Sequence, residues 1–187
     1  MASRFVSIWF RHLTTDWFSL GQPHLRNLPF VLRAPSHGRM VITAANIKAQ
    51  QKGVHEGMVL ADARAFIPDL EVLDHKPNLS DKLLKRLAEW CIRFTPIVAV
   101  DPPDGLLFDA SGCSHLWGGD EPYLAEICKR LNARGYNVRA AIADTSGVAW
   151  AIARFGNGQM VIPEGMQLKA LLSLPPESLR LEPLTVE

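Results

Sequence analysis

Cysteine is scarce in this chain: 187 residues hold three, Cys91, Cys113 and Cys128, with no CxxC pair. An odd, sparse count excludes a disulfide scaffold and fits a reducing cytoplasmic setting. Charge of one sign is missing too. With 20 Lys+Arg against 19 Asp+Glu the net charge is +1, so no strongly basic nucleic-acid surface is advertised, although a local patch is compatible with these numbers. No apolar run reaches the length of a membrane span, and no membrane partner is expected. The N-terminus lacks a long apolar h-region with a small-residue cleavage site, and residues 4–10 read as a strand instead. Internal repeats and low-complexity tracts are absent. What is present is a 48% hydrophobic content, enough for one domain or one domain with a small insertion.

The most informative stretch runs over residues 101–121. A turn, Asp101-Pro102-Pro103-Asp104-Gly105, leads into the short apolar run 106–108, which reads as a buried strand ended by Asp109. Breakers follow at Ser111-Gly112 and Gly118-Gly119, and Asp120 reads as the N-cap of a helix with Pro122 in its first turn. Carboxylates at both edges of a central strand are what a two-metal phosphoryl-transfer site requires, because Mg²⁺ needs hard oxygen ligands fixed in place.

Along the rest of the chain, 4–10 is a dense aromatic and β-branched run, a central first strand. A helix over 13–20 with Thr14 or Thr15 as cap follows, then strands at 30–33 and 40–43 joined by a hairpin turn at Ser36-His37-Gly38-Arg39. Residues 44–52 have helical composition and stop at Gly53. A short helix over 59–66, a strand over 70–73 and a long amphipathic helix over 79–93 come next. Strands at 97–100, 106–108, 138–143 and 160–162 then alternate with helices at 122–134 and 146–155. This β-β-α-β-α-β order predicts an α+β fold: a ferredoxin-like palm with a mixed sheet and helices on one face. On this reading 1–11 and 78–162 form the palm, and 12–77 is a small α/β insertion. The chain ends at residues 184–187 without a clear helix or strand, as expected of a piece of a longer chain.

Two stretches in this order, 44–54 (Ala-Ala-Asn-Ile-Lys-Ala-Gln-Gln-Lys-Gly-Val) and 57–64 (Gly-Met-Val-Leu-Ala-Asp-Ala-Arg), followed by 104–109 (Asp-Gly-Leu-Leu-Phe-Asp), carry a resemblance. The chain resembles the palm and fingers of Y-family DNA polymerases up to about residue 162, with 12–77 as the fingers and 163–187 as the lead-in to a thumb. The form of residues 107–119 is similar to a DinB-related branch of that family, part of a mutasome cassette and regarded as polymerase-inactive. The resemblance implies a scaffold in translesion synthesis and induced mutagenesis. Its partners would be a RecA-like protein, the sliding clamp and a C-family error-prone polymerase, met through the whole protein. Nucleoid association in a bacterial cytoplasm goes with that reading.

The family's functional positions fare poorly here. The strand-1 carboxylate matches Trp9, with Arg11 in place of a second acid nearby, and the family's Asp-Glu pair matches Asp104-Gly105. Asp109 remains as a residual acid on the same strand. The Tyr-x-x-Arg that holds the triphosphate matches Ile47 and Gln50, the late Lys matches Phe155 in the stretch 155–158, and the steric gate matches Thr14. An indole cannot ligate Mg²⁺, and a fixed cation beside the site would repel it. No catalytic residue, metal or cofactor is therefore expected. DNA contact is assigned to Arg33, Arg39, Lys48 and Lys52, which would grip phosphates without reading sequence; a solvated surface explains them equally well.

Two alternatives stay open. The chain could be an active metal-dependent nucleotidyltransferase recruiting Asp101, Asp104 and Asp109, which on this reading crowd one edge. It could also be a nucleotide cyclase built on Gly118-Gly119-Asp120-Glu121, which demands strands on both sides of that turn. Plainer roles exist for most of these residues: Trp9 as strand core, Asp104 as a turn former, Asp109 as a cap on the turn that follows it. Cys113-Ser114-His115 matches no zinc spacing, and Ser111, His115 and Asp109 have no nucleophile-elbow context.

Overall fold

The computed structural model describes residues 3–157 and 160–180. In chain order the elements are β1 (Phe5–Phe10), α1 (Leu13–Gly21), β2 (Phe30–Ser36), β3 (Arg39–Ala45), α2 (Ile47–Gln50), α3 (Leu60–Phe66), β4 (Glu71–Asp74), α4 (Leu79–Cys91), β5 (Ile97–Asp101), β6 (Gly105–Asp109), α5 (Asp120–Ala133), β7 (Val138–Ala143), α6 (Ser146–Phe155) and α7 (Gln167–Leu171), with short 3-10 turns at Pro23–Asn27, Ser114–Trp117 and Pro176–Leu179. The class is α+β. Two compact units emerge: the described residues of Met1–Arg11, Ser80–Arg134 and Val138–Glu187 form one, and His12–Leu79 with Gly135–Asn137 form the other.

The first unit is built on a four-stranded sheet in the order β5-β6-β1-β7. All three pairings are antiparallel. Among the described residues the parallel component of this sheet is one bridge, Ile142 to Val161, so the strand expected over 160–162 is reduced to that contact. β1 is central because it is apolar on both sides: Val6, Ile8 and Phe10 are fully buried, and Ser7 is buried on the other face. In register, Val6 and Ile8 share a face with Phe108, Leu106, Ile142 and Ala140. The opposite face, with Trp9, Ala141 and Ala143, packs against Val148, Ala149, Ile152 and Ala153 of α6. α5 lies beside β7, and the depression bordered by Leu124, Cys128, Val138 and Ala140 puts it on the first face. Helices over one face was the expectation; in detail α6 crosses to the other. Small residues explain it, since alanines on both α6 and β7 let the backbones approach closely.

Gly119, not Asp120, occupies the N-cap of α5, at φ 113°. Asp120 is drawn away by Arg4, whose Nε donates to its Oδ2 at 2.8 Å. No strand follows Gly118-Gly119: a 3-10 turn precedes the pair and a helix follows it, which removes the hairpin that the cyclase reading requires.

The second unit carries a three-stranded sheet, β3-β2-β4, with β2–β3 antiparallel and β2–β4 parallel. The β2–β3 hairpin turns at His37 and Gly38, both at positive φ (46° and 75°), the geometry a two-residue turn needs to follow strand twist. Val31, Ile42, Ala45, Leu60, Ala63 and Ile67 form its core. The helix expected over 44–52 shrinks to Ile47–Gln50, because Ala44 and Ala45 pair with Leu32 and Val31. Asn46 makes the switch from strand to helix. Its buried side-chain oxygen accepts from Ala49 N and Phe30 N, and its amide donates to Leu28 O at 2.9 Å. His12 stands at the N-cap of α1, without a side-chain capping bond, rather than Thr14 or Thr15; Thr15 Oγ1 instead donates back to the His12 carbonyl.

Candidate functional site

The site lies in the first unit, at the Trp9 end of β1. There the β5–β6 turn brings Asp101 opposite Gly105, and Trp9 pairs with Gly105 on the other side. Phe10 N donates to Asp104 O at 2.9 Å, which pins the turn to β1. α6 delivers Trp150 and Arg154, one turn apart on the same helix face. The segment after α7 delivers Arg180.

These residues make one closed network. Trp9 Nε1 donates to Asp104 Oδ2 at 2.8 Å. Arg154 Nη2 donates to Asp104 Oδ1 at 2.7 Å and lies 3.5 Å from Asp101 Oδ2. Arg180 Nη2 donates to both oxygens of Asp101 at 2.8 Å. The guanidiniums also stack: Arg154 lies 5.9 Å from the Trp9 ring and 4.5 Å from the Trp150 ring, and Arg180 lies 4.1 Å from Trp150. Indole, guanidinium, indole, guanidinium thus alternate, each cation over an electron-rich face. Arg11 adds a further cation 5.5 Å from Trp9.

Burial makes these contacts count. The Asp101 side chain is 10% exposed and that of Arg154 11%, against 33% for Asp104. Burial pulls the Arg154 pKa below the ordinary arginine value, while Asp104 and Asp101 push it back up and Arg180 lowers it again. Two acids and two arginines balance. Gly105 is closely surrounded: a Cβ there would meet Asp101 Oδ2 at 2.9 Å, Arg154 Nη2 at 3.0 Å and the Asp101 carbonyl at 3.1 Å.

Asp109 is not part of this cluster. It ends β6 opposite Phe5, a strand's length of about 16 Å from Asp104, and its Oδ1 accepts from Ser111 N at 3.0 Å. A crowd of Asp101, Asp104 and Asp109 at one edge is therefore corrected: the direction of β6 separates them. Ser111 Oγ accepts from Arg4 N, while His115 is exposed on the following 3-10 turn, so no triad forms. Cys113 Sγ faces the Ser111 carbonyl. Burial raises the Cys91 thiol to about 12 and the Cys128 thiol to about 11, far from the thiolate state that metals require. Among the described residues no group of three or more His, Cys, Asp or Glu forms a metal-holding cluster.

The triphosphate positions divide between the units. Phe155 closes α6 and packs on Trp150 with ring centroids 6.0 Å apart; the end of its motif, Gly158, falls outside the described residues. In the second unit Ile47 is exposed and the Gln50 amide donates to Ala45 O at 3.3 Å. Thr14 sits in the first turn of α1. The four cations assigned to DNA are spread over that unit. Arg33 pairs with Asp74 at 2.9 Å, Lys48 Nζ donates to Asn27 O at 3.2 Å, Arg39 begins β3 and Lys52 lies in the turn after α2.

Sequence reasoning missed Arg154 and Arg180. The signal was present only in part: Trp150 and Arg154 stand at cation–π spacing on a helix, but nothing local says which acids they meet.

A family model described as impB/mucB/samB matches residues 8–154, well over half of the chain. The chain belongs to this family. Its relatives are Y-family polymerase-like proteins. This impB/mucB/samB-family chain is 46% identical over 129 residues to Protein ImuB of Caulobacter vibrioides, covering 69% of this chain and 28% of that protein. It is 29% identical over 160 residues to DNA polymerase IV 2 of Mesorhizobium japonicum, covering 82% of this chain and 36% of that protein. It therefore spans about a third of the length of these curated relatives. Among solved structures, a post-insertion binary complex of Dbh DNA polymerase matches with TM-score 0.79 at 18% identity, covering 94% of this chain and 52% of that one. DinB from Sulfolobus solfataricus matches with TM-score 0.76, also at 18% identity. Both establish the fold, a Y-family palm and fingers. Among the described residues no helix is long and apolar enough to cross a membrane.

Proposed function

We propose that this chain is a non-catalytic, polymerase-like scaffold acting in DNA damage tolerance. The observation that carries this reading is the double engagement of Asp104, by the Trp9 indole N–H on one oxygen and by Arg154 on the other. Two Mg²⁺ ions need several carboxylate oxygens free to enter an octahedral shell at about 2.0–2.1 Å. An indole N–H only donates, so strand 1 offers no ligand. Both Asp101 oxygens accept from Arg180, and a glutamate in place of Gly105 would collide with Asp101 and Arg154. The residues present do not fit the metal pair, and no phosphoryl-transfer step is derived from them.

On this reading 1–11 and 78–162 are the palm, 12–77 the fingers, and 163–187 the lead-in to a thumb. The similarity to Protein ImuB supports a place in a bacterial mutasome at the nucleoid. Its partners there would be a RecA-like protein of the ImuA type, the sliding clamp and a C-family error-prone polymerase, engaged by the longer protein. Arg39 and Lys52 remain the better candidates for phosphate contact, since Arg33 and Lys48 have partners of their own.

Calorimetry of Mn²⁺ and dNTP binding, beside primer extension, tests the reading. No heat and no extension are expected. Metal-dependent nucleotide binding that disappears in Asp104→Ala would overturn it in favour of an active nucleotidyltransferase.

A further inference from the structure

Asp101 and Asp104 lie side by side with no third acid among the described residues of their cluster, and the structure shows what holds them. We propose that Arg154 and Arg180 are resident cations of this acid pair, standing in for divalent ions, and that through them residues 175–180 are strapped onto the sheet. The inference rests on the non-catalytic reading and gives the retained acids a role. A carboxylate that lost its metal would be a buried or half-buried charge with no counter-ion, which is strongly unfavourable. The guanidinium removes that cost in place. It is always charged, and its planar fork of donors fits a carboxylate side-on.

Three observations point the same way. The contact of Arg180 Nη2 with both Asp101 oxygens joins the end of the described chain to β5, 79 residues earlier. Arg180 follows the 3-10 turn Pro176–Leu179 in a left-handed conformation, φ 56°, which a non-glycine residue keeps only where its surroundings compensate. Its guanidinium then finds two partners at once, Asp101 and the Trp150 ring. The same 3-10 turn packs against α6, the helix that supplies Arg154. The two arginines thus bind the acids from a fixed helix and from a returning strap.

The test uses the whole chain, with Mn²⁺ alone as the probe, read by the Mn²⁺ EPR signal and by thermal unfolding. The unaltered chain is expected to show no response. In Arg154→Gln the acid pair, relieved of one cation and with Asp104 Oδ1 released, should bind Mn²⁺ at least about tenfold more tightly than the parent, the factor one neighbouring cation is worth to a carboxylate, and adding Asp104→Asn should abolish the gain. Arg154→Lys, which keeps a cation, should behave like the parent. A folded Arg154→Gln that ignores Mn²⁺ would overturn this inference and leave the non-catalytic reading standing. Mn²⁺ binding by the unaltered chain, lost in Asp104→Asn, would overturn that reading itself. If Arg154→Gln does not fold, the half-exposed Arg180 decides. Arg180→Gln should speed cleavage within 175–180 by about tenfold, as expected on losing a charge-assisted pair, and Asp101→Asn should match it. Unchanged cleavage in both would overturn the strap.

Discussion

The two ends of β1 hold the same kinds of residue in different arithmetic. At its start one arginine, Arg4, holds two acids: its Nη1 donates to Asp144 at 2.6 Å and to the Ile162 carbonyl at 3.0 Å, and its Nε to Asp120 at 2.8 Å. At its end two arginines hold two acids. The Arg4 side chain is 7% exposed, and it joins α5, the end of β7 and the chain beyond α6. The Trp9 end is more open, with the Asp104 side chain 33% and the Arg180 side chain 45% exposed. Similar ion pairs therefore mean different things. One ties three segments to a single arginine, and the other sets two acids against two arginines.

Removing each brace separates them. Arg4→Met removes the cation shared by Asp120 and Asp144 and the donor to the Ile162 carbonyl, leaving Asp144 only its Gly165 and Gln167 donors, and should destabilise the chain by about 3–5 kcal/mol in urea unfolding. Arg154→Met should cost less, about 2–3 kcal/mol, because Asp104 keeps the Trp9 N–H and reaches water. Equal losses would mean that the two ends are energetically alike.

Acid titration sharpens the contrast. The Gly165 N–H, then Arg4 and Gln167, hold the Asp144 pKa below its ordinary 3.8. A depressed carboxylate contributes stability above 3.8 that is lost as pH falls through the lower folded value. Asp144→Asn should flatten that acid limb of the stability curve. Asp16, in the second unit, runs the other way. Burial raises its pKa to about 6, with the Asn137 N–H opposing. Its contribution is complete below 3.8 and declines as pH rises to about 6, so Asp16→Asn should remove the fall and raise the melting temperature at neutral pH. The smallest effect belongs to the surface pair Arg33–Asp74, whose side chains are 35% and 79% exposed. Arg33→Ala should change stability by no more than about 0.5 kcal/mol, a baseline for the ion pairs of β1.

Much of the fold was legible in the chain. β7 and α6 occupy Val138–Ala143 and Ser146–Phe155, the ranges their patterns indicate. The cap that Asp109 offers to Ser111 follows from the turn after it. Helix composition misled at Ala44 and Ala45, where pairing with β2 overrides propensity. Asp120 misled as a cap because Arg4, 116 residues away, claims its carboxylate.

The sequence by itself determined what cannot happen at Trp9 and Gly105: an indole and a hydrogen atom are not carboxylates in any fold. It also determined strands and helices whose periodicity lies within a few residues. Only the tertiary structure decided what the surviving acids do. Asp104 meets Trp9 across 95 residues and Arg154 across 50, and Asp101 meets Arg180 across 79. Ion-pair energy depends on distance and burial in space, and neither is written in the spacing along the chain.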